Sequence, residues 1–254
     1  MESKNKNGII IVIVALIVSL TAIACVSIFT IGFVGYKKTA SGSGLTATGS
    51  ASCDFESDLI VWRGSFSAYG MTTGDAYEVI KNDTEVVRNY LLENGVTEEE
   101  LVFSSADISQ RYYTEYDDNG NYVREYPDGY DLYQSVTVTS NDIDKVEKIS
   151  RDITKLIESG VQFSSYSPEY YCTKLDEVKL ELIEKATDNA KQRIDIMAAE
   201  TGCNTGKLLT ANLGVFQITA KNSGSGEYSY DGAFDTSSRY KTAMITVRLN
   251  YAVE

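Results

Sequence analysis

The chain has 254 residues, a length that fits one domain, or two small ones, beside any targeting segment. Its 36 Asp and Glu outweigh 23 Lys and Arg, giving a formal charge of −13; without basic surface to displace counterions, no nucleic-acid partner is expected. Histidine is absent, which excludes Ser-His-Asp and Cys-His catalysis, His-ligated zinc and an imidazole switch, whereas 43% apolar residues suffice for a core.

The chain opens with a short polar tail, residues 1–7. Between Lys6 and Lys37 no side chain is charged, and Gly8–Val34 is almost wholly Ile, Val, Ala, Leu, Phe and small residues. That run exceeds the roughly 20 residues a helix needs to cross a bilayer. A secretory core is only about 7–15 residues. The expectation is therefore an uncleaved signal anchor, a single transmembrane helix over 8–36. Ala22-Ile23-Ala24 before Cys25 has the look of a cleavage or lipidation box, but Leu is missing three residues before the cysteine and Val26–Val34 continues apolar. Lys4 and Lys6 on one side balance Lys37 and Lys38 on the other, so charge does not set the orientation. Residues 37–44 read as a linker, with the flexible Thr39–Gly44 in it, and the acidic body over 45–254 would be repelled by an anionic leaflet.

In the body, residues 45–54 are strand-like and interrupted by Gly49. Asp58–Thr72 alternates, with Ile60, Trp62, Phe66 and Ala68 on one face and Arg63, Ser65 and Ser67 on the other. Ala76, Val79, Ile80, Val87, Tyr90 and Leu91 have helical spacing, with a stop at Gly95. Thr97 and Glu100 form a capping-box pattern on a short turn. Val102–Tyr116 and Tyr122–Ser140 are predicted strands joined by Asp117-Asp118-Asn119-Gly120, a hairpin signal. Asn141 is placed to cap a helix whose face is Ile143, Val146, Ile149, Ile153, Leu156 and Ile157, stopped at Gly160. A short strand over Val161–Ser167 precedes the longest helix, about Lys174–Thr201, with the stripe Leu175, Val178, Leu182, Ala186, Ala190, Ile194 and Met197. Strands over Leu208–Thr219 and from Ala243 to Val253 close the chain, around a Gly/Ser/Tyr loop at 222–238. The fold class expected is α+β: a mainly antiparallel sheet covered by helices, with a ferredoxin-like β-α-β-β-α-β middle.

Four segments of the body resemble the SIMPL-domain family of bacterial periplasmic antigen-like cell-envelope proteins. Thr46-Ala47-Thr48-Gly49-Ser50-Ala51, with Asp58 after it, is similar to the family's opening strand. Ala76, Asn82, Leu92 and Gly95 match its first helix and stop. Tyr130 through Val136-Thr137-Val138, then Asn141-Asp142-Ile143-Asp144-Lys145-Val146, resembles a strand running into a helix start. Lys185-Ala186-Thr187-Asp188-Asn189-Ala190, leading to Ala198-Ala199, Gly202 and Gly206-Lys207, is the most specific piece. Asn189 and Ile194 depart from the family pattern without shifting its register. The resemblance implies an extracytoplasmic domain, ring-like oligomers and a link to envelope or oxidative stress. Its motifs are packing alanines, caps and turn glycines, so it names no catalytic group.

Few residues offer chemistry. Glu115, Asp117, Asn119 and Gly120 follow the start of a calcium-loop pattern, but Tyr126 stands where the closing Glu belongs. Glu98-Glu99-Glu100 suit a helix start. Ser238-Arg239-Tyr240-Lys241 spells Ser-x-x-Lys, but it opens a strand rather than a helix. Ser223-Gly224-Ser225-Gly226 lacks the Gly-Lys-Ser/Thr of a phosphate loop, and the sequon at Asn82 falls mid-helix. Cys53, Cys172 and Cys203 show no Cys-x-x-Cys spacing and read as small half-buried residues. No catalytic, cofactor-binding or metal-ligating residue is assigned.

The tyrosines are more unusual: of 18, Tyr112, Tyr113, Tyr116, Tyr122, Tyr126, Tyr130 and Tyr133 fall in one hairpin. Tyrosine suits half-wet interfaces, so these are read either as cross-strand pairs on an exposed hairpin or as an interaction surface. The function expected is that of a non-enzymatic, membrane-anchored extracytoplasmic envelope protein acting through homo-oligomers or a protein partner. A ligand-binding or sensor domain on the cell surface is the alternative, and a His-independent, carboxylate-based enzyme is a third reading that nothing in the sequence favours.

Overall fold

The computed structural model describes residues 19–31, 44–224 and 229–254. Residues 19–31 are helical (α1); the rest of the anchor expected over 8–36, and the linker before Gly44, lie outside the described residues. Among the described residues no helix is long and apolar enough to cross a membrane. The chain is α+β with antiparallel sheets, and it divides into two compact units.

The larger unit comprises 50–187 and 213–247. Its centre is β2, Leu59–Gly70, where alternation buries Ile60, Trp62, Phe66 and Ala68 and turns Arg63, Ser65 and Ser67 outward. β2 pairs antiparallel with β5 (Tyr122–Ser140) on one side and with β6 (Gln162–Ser165) and β7 (Glu169–Tyr171) on the other. β5 in turn pairs with β3 (Leu101–Phe103) and β4 (Asp107–Tyr116). The order β3-β5-β2-β6, with helical crossovers after β2 and β5, is that of a ferredoxin-like unit.

Those crossovers are α2 (Thr73–Glu93) and α3 (Ile143–Asp152). α2 begins at a capping box in which Thr72 Oγ1 accepts from Asp75 N and Asp75 Oδ2 from Thr72 N, both at 3.2 Å. Ala76, Ile80, Val87 and Leu91 are its buried face; Val79, placed on that face by spacing alone, is exposed. These residues join Ile60, Trp62, Phe66, Val136, Val138, Val146 and Ile149 in one core. Each such large side chain, fully buried, contributes about 1.5–3 kcal/mol. Gly64 is the gap in β2 that admits Phe163: a Cβ there would lie 2.2 Å from the ring. Phe163 consequently stacks near both Trp62 and Phe66, with centroids at 6.0 and 6.1 Å.

Several predicted elements are redrawn by local hydrogen bonding. The strand expected over Val102–Tyr116 is two strands, because the Ser104 hydroxyl accepts the Ser135 N–H (3.0 Å) in place of a ladder carbonyl. The cap of α3 is Asp142, whose Oδ1 accepts from Lys145 N at 3.1 Å, whereas Asn141 donates to the Asp58 carbonyl. After Asp152 the helix tightens into a 3₁₀ turn, Ile153–Ser159, closed by Gly160 at φ 89°, and Ile157 is left exposed. The strand expected over Val161–Ser167 is shorter, and β7 follows Pro168, a residue that cannot extend the ladder. Strand β1, Gly44–Glu56, runs through Gly49 without interruption. The strand expected over Leu208–Thr219 divides into β8 (Thr205–Leu213) and β9 (Gln217–Ala220) at Gly214, whose N–H donates to the Thr246 carbonyl at 2.8 Å.

The larger unit also holds β9, Ser50–Glu56 of β1 and Tyr240–Val247 of β10 (Tyr240–Val253). β9 and β10 pair antiparallel, and the face Ala243, Ile245 and Val247 is buried as the alternation predicts. The first half of α4 (Leu175–Thr201) buries Leu182 and Ala186 here.

The smaller unit comprises described residues 19–31, 44–49, 188–212 and 248–254. The rest of α4 buries Ala190, Ile194 and Ala198 and ends at Gly202, φ 70°. The Arg193 guanidinium donates to the Thr48 carbonyl (2.9 Å), and Asn204 and Glu254 exchange backbone hydrogen bonds of 3.0 Å. In α1, Leu20, Ile23, Val26, Ile28, Phe29 and Ile31 are all exposed.

Candidate functional site: a tyrosine-rich hairpin

β4 and β5 extend past the sheet as a two-stranded arm. β2 pairs with β5 only as far as Gly70 opposite Tyr130, so residues 122–129 of β5 have β4 alone for a neighbour. The tip is built by Asp117, whose Oδ1 accepts from the N–H groups of Asn119 (2.9 Å) and Asn121 (2.8 Å) and whose Oδ2 accepts from the Asn121 amide. These bonds, from the Asn121 backbone first, hold its carboxyl below the usual Asp range. Gly120, at φ 80°, completes the turn. The Asp117 carboxylate is thereby engaged in shaping the loop rather than offered to a cation, and among the described residues no group of three or more acidic or Cys side chains could hold a metal ion.

The arm exposes both faces. Tyr112, Tyr113, Tyr116, Tyr122 and Tyr126 are all exposed, with Val123. Tyr113 and Tyr126 face each other across the strands, centroids 5.3 Å apart. Arg124 lies over the Tyr126 ring at 5.6 Å and donates to Glu115 at 2.6 Å, which raises its own already high pKa. The structure divides the seven tyrosines: Tyr130 is half-buried against the core, and Tyr133, although exposed, sits further along β5 beside β2, opposite Ser67 and Asp107. The arm surface is thus made by the remaining five.

Other candidate groups have structural partners. Glu98 pairs with Arg88 at 2.6 Å. Burial pushes the Glu100 carboxyl up, but the Ser140 hydroxyl, the Thr97 N–H and the Lys145 ammonium together hold it below the usual range. Arg239 binds Glu56 (2.7 Å) and Asp144 (2.5 Å), so the groove beside the start of α3 presents a neutralised guanidinium. Cys53, Cys172 and Cys203 are half-buried and unbridged; burial pushes the first two thiols up.

Lys241 of the Ser-x-x-Lys sequence is 2% exposed. Its ammonium donates to the carbonyls of Tyr170 (2.8 Å) and Asp235. Burial drives its pKa down, opposed by Asp235 and Cys172. Ser238 lies in the turn before β10, its N–H on Asp235 Oδ2 at 3.2 Å. The motif is a structural lock between β7 and the turn, which sequence spacing did not reveal. One signal was legible: Lys241 continues the buried alternation of Ala243, Ile245 and Val247.

The structural alanines, caps and glycines agree with a comparison of sequence. The profile of SIMPL, described as a protein of unknown function (DUF541), matches residues 45–251. The chain belongs to the SIMPL family. A search of curated proteins finds no match. In this SIMPL body the family-like residues carry the fold: Asp142 caps α3, Ala186 and Ala190 are buried in α4, and Gly95 adopts φ 87° after α2. The arm lies within the matched span.

Proposed function

We propose that this SIMPL protein is non-enzymatic, is held to a membrane by its N-terminal segment with the body outside the cytoplasm, and acts in the cell envelope through self-assembly or a protein partner. The observation that carries this reading is the arm. An isolated two-stranded ribbon is marginal in water, yet this one extends beyond its sheet and exposes tyrosines on both faces. Such amphipathic rings are enriched where proteins meet. Support for the anchor is the run of uncharged residues from Asn7 to Tyr36 and the outward apolar residues of α1. The absence of enzyme activity is supported by Lys241, Glu100 and Arg239, whose charged groups all have fold-holding partners. A role in envelope or oxidative stress belongs to the same proposal and rests on the family resemblance.

The test is light scattering on the detergent-solubilised full chain, with protease accessibility of the body in intact cells. The expected result is an assembly and a body cut from outside. A strict monomer at high concentration that also captures no envelope protein would overturn the interaction role, and a body shielded from external protease would overturn the location.

A further inference from the structure

We infer that the occupant of the arm is a second copy of this chain, added edge to edge along β4 so that two arms form one continuous antiparallel sheet about a two-fold axis at Tyr113. The inference rests on the assembly reading above and specifies its geometry.

The two edges of the arm differ. Between Gln110 and Tyr112 the pairing advances from Tyr130 to Pro127, and between Glu115 and Tyr116 from Arg124 to Tyr122. In both places the additional residue is on β5. Pro127, which has no N–H to offer a neighbour, and Gly129, at φ 87°, are on β5 as well. Bulges and proline are the devices by which proteins blunt a sheet edge against pairing. β4 has neither and alternates regularly from Asp107 to Glu115, and its outer edge carries no strand pairing among the described residues.

β4 does carry charges, which often guard an edge, but they are self-complementary. Asp107, Arg111 and Glu115 recur every fourth residue on one face. A perpendicular two-fold axis requires that like faces meet, so it passes through a residue rather than between two. Centred on Arg111, pairing would oppose Arg111 to itself and Asp107 to Glu115, both repulsive. Centred on Tyr112, it gains no charge pair and sets Asp107 against Asp117. Centred on Ser109, Arg111 meets Asp107 twice, but only residues 107–111 of β4 pair. Centred on Tyr113, Arg111 meets Glu115 of the second copy twice over, the paired run lengthens to residues 110–116, and the Tyr113 rings meet on the axis. Both groups already have partners on their own arm: Arg111 forms long ion pairs with Asp128 (3.9 Å) and Asp131 (3.8 Å) and lies over the Tyr69 ring, and Glu115 accepts from Arg124 at 2.6 Å, so the cross-copy pairs extend these ladders rather than fill empty positions.

Single cysteines introduced by Tyr113→Cys or Tyr112→Cys, in a full chain whose four native cysteines are Ser, test the register under mild oxidation in detergent. Opposed strand residues are close enough to bridge. The expected result is a covalent dimer from Tyr113→Cys and at least a tenfold lower yield from Tyr112→Cys. Hydrogen exchange on the unaltered chain should slow over residues 110–116 as concentration rises, a readout independent of either variant. An assembly that forms without linkage at position 113 and without added protection of β4 overturns this interface and leaves the assembly reading standing. A chain that stays monomeric at every concentration overturns both.

Discussion

Tyr113 and Tyr126 stand opposite each other on the arm with ring centroids 5.3 Å apart, yet both rings remain exposed. An exposed cross-strand aromatic pair contributes only about 0.2–1 kcal/mol to its own sheet. Tyr113→Ala is therefore expected to change the unfolding free energy of the chain by no more than about 1 kcal/mol. If the pair belongs to an interface, the same substitution weakens self-association by roughly tenfold or more. Urea unfolding and concentration-dependent light scattering, measured on one preparation, separate the two effects.

Gly129 anchors the base of the arm. Its φ is 87°, and a Cβ there would lie 2.6 Å from the Gly70 carbonyl oxygen and 2.8 Å from the Tyr69 ring. Gly129→Ala is expected to destabilise the chain by about 1–3 kcal/mol, through backbone strain and this close approach together. Gly120, with φ 80° but open space around it, should lose less on the same change. Paired thermal melts of the two variants check the order.

Lys241→Met keeps the buried stem and removes the ammonium from the Tyr170 and Asp235 carbonyls. Leaving buried carbonyls unpaired is expected to cost about 1–3 kcal/mol near neutral pH. The pH dependence has a definite sign. Burial lowers the folded-state pKa, so the penalty of the buried charge is fully present below that value. It is relieved as pH rises toward the unfolded lysine value of about 10.4. Wild-type stability relative to the variant should thus rise through the alkaline range, as read by denaturant midpoints at a series of pH values.

Glu100 acts in the opposite window. The Ser140 hydroxyl, the Thr97 N–H and Lys145 lower its folded-state pKa against the upward push of burial. Its stabilisation is complete above the unfolded glutamate value of about 4.3 and is lost as pH falls through the folded value. Glu100→Gln is expected to cost about 1–2 kcal/mol at pH 7 and to become nearly neutral in strong acid. Thermal unfolding at neutral and acidic pH compares them.

Much of the fold could be read locally. The bounds of β5, the stop of α4 at Gly202 and the faces of β2 and β10 follow from periods of two and of 3.6 residues and from turn chemistry, which neighbouring residues set. The capping box of Thr72 and Asp75 was not read from the sequence, where Thr72 stood at the end of a strand and the helix face began at Ala76. The division of strands was not legible, because it depends on where Ser104 and Gly214 meet Ser135 and Thr246, far away in sequence.

The sequence by itself determined the acidic charge, the absence of histidine, the SIMPL-like body and the clustering of tyrosines in one hairpin. Only the tertiary structure decided which tyrosines are exposed. β2 ends its pairing opposite Tyr130, so the rings beyond that point lose the core while Tyr130 keeps it. It also decided that Lys241 is a buried lock, since a lysine's alternation pattern does not state whether carbonyls wait for its ammonium. Periodicity is a property of adjacent residues. The length of a neighbouring strand and the position of a distant carbonyl are set by the chain's long-range closure.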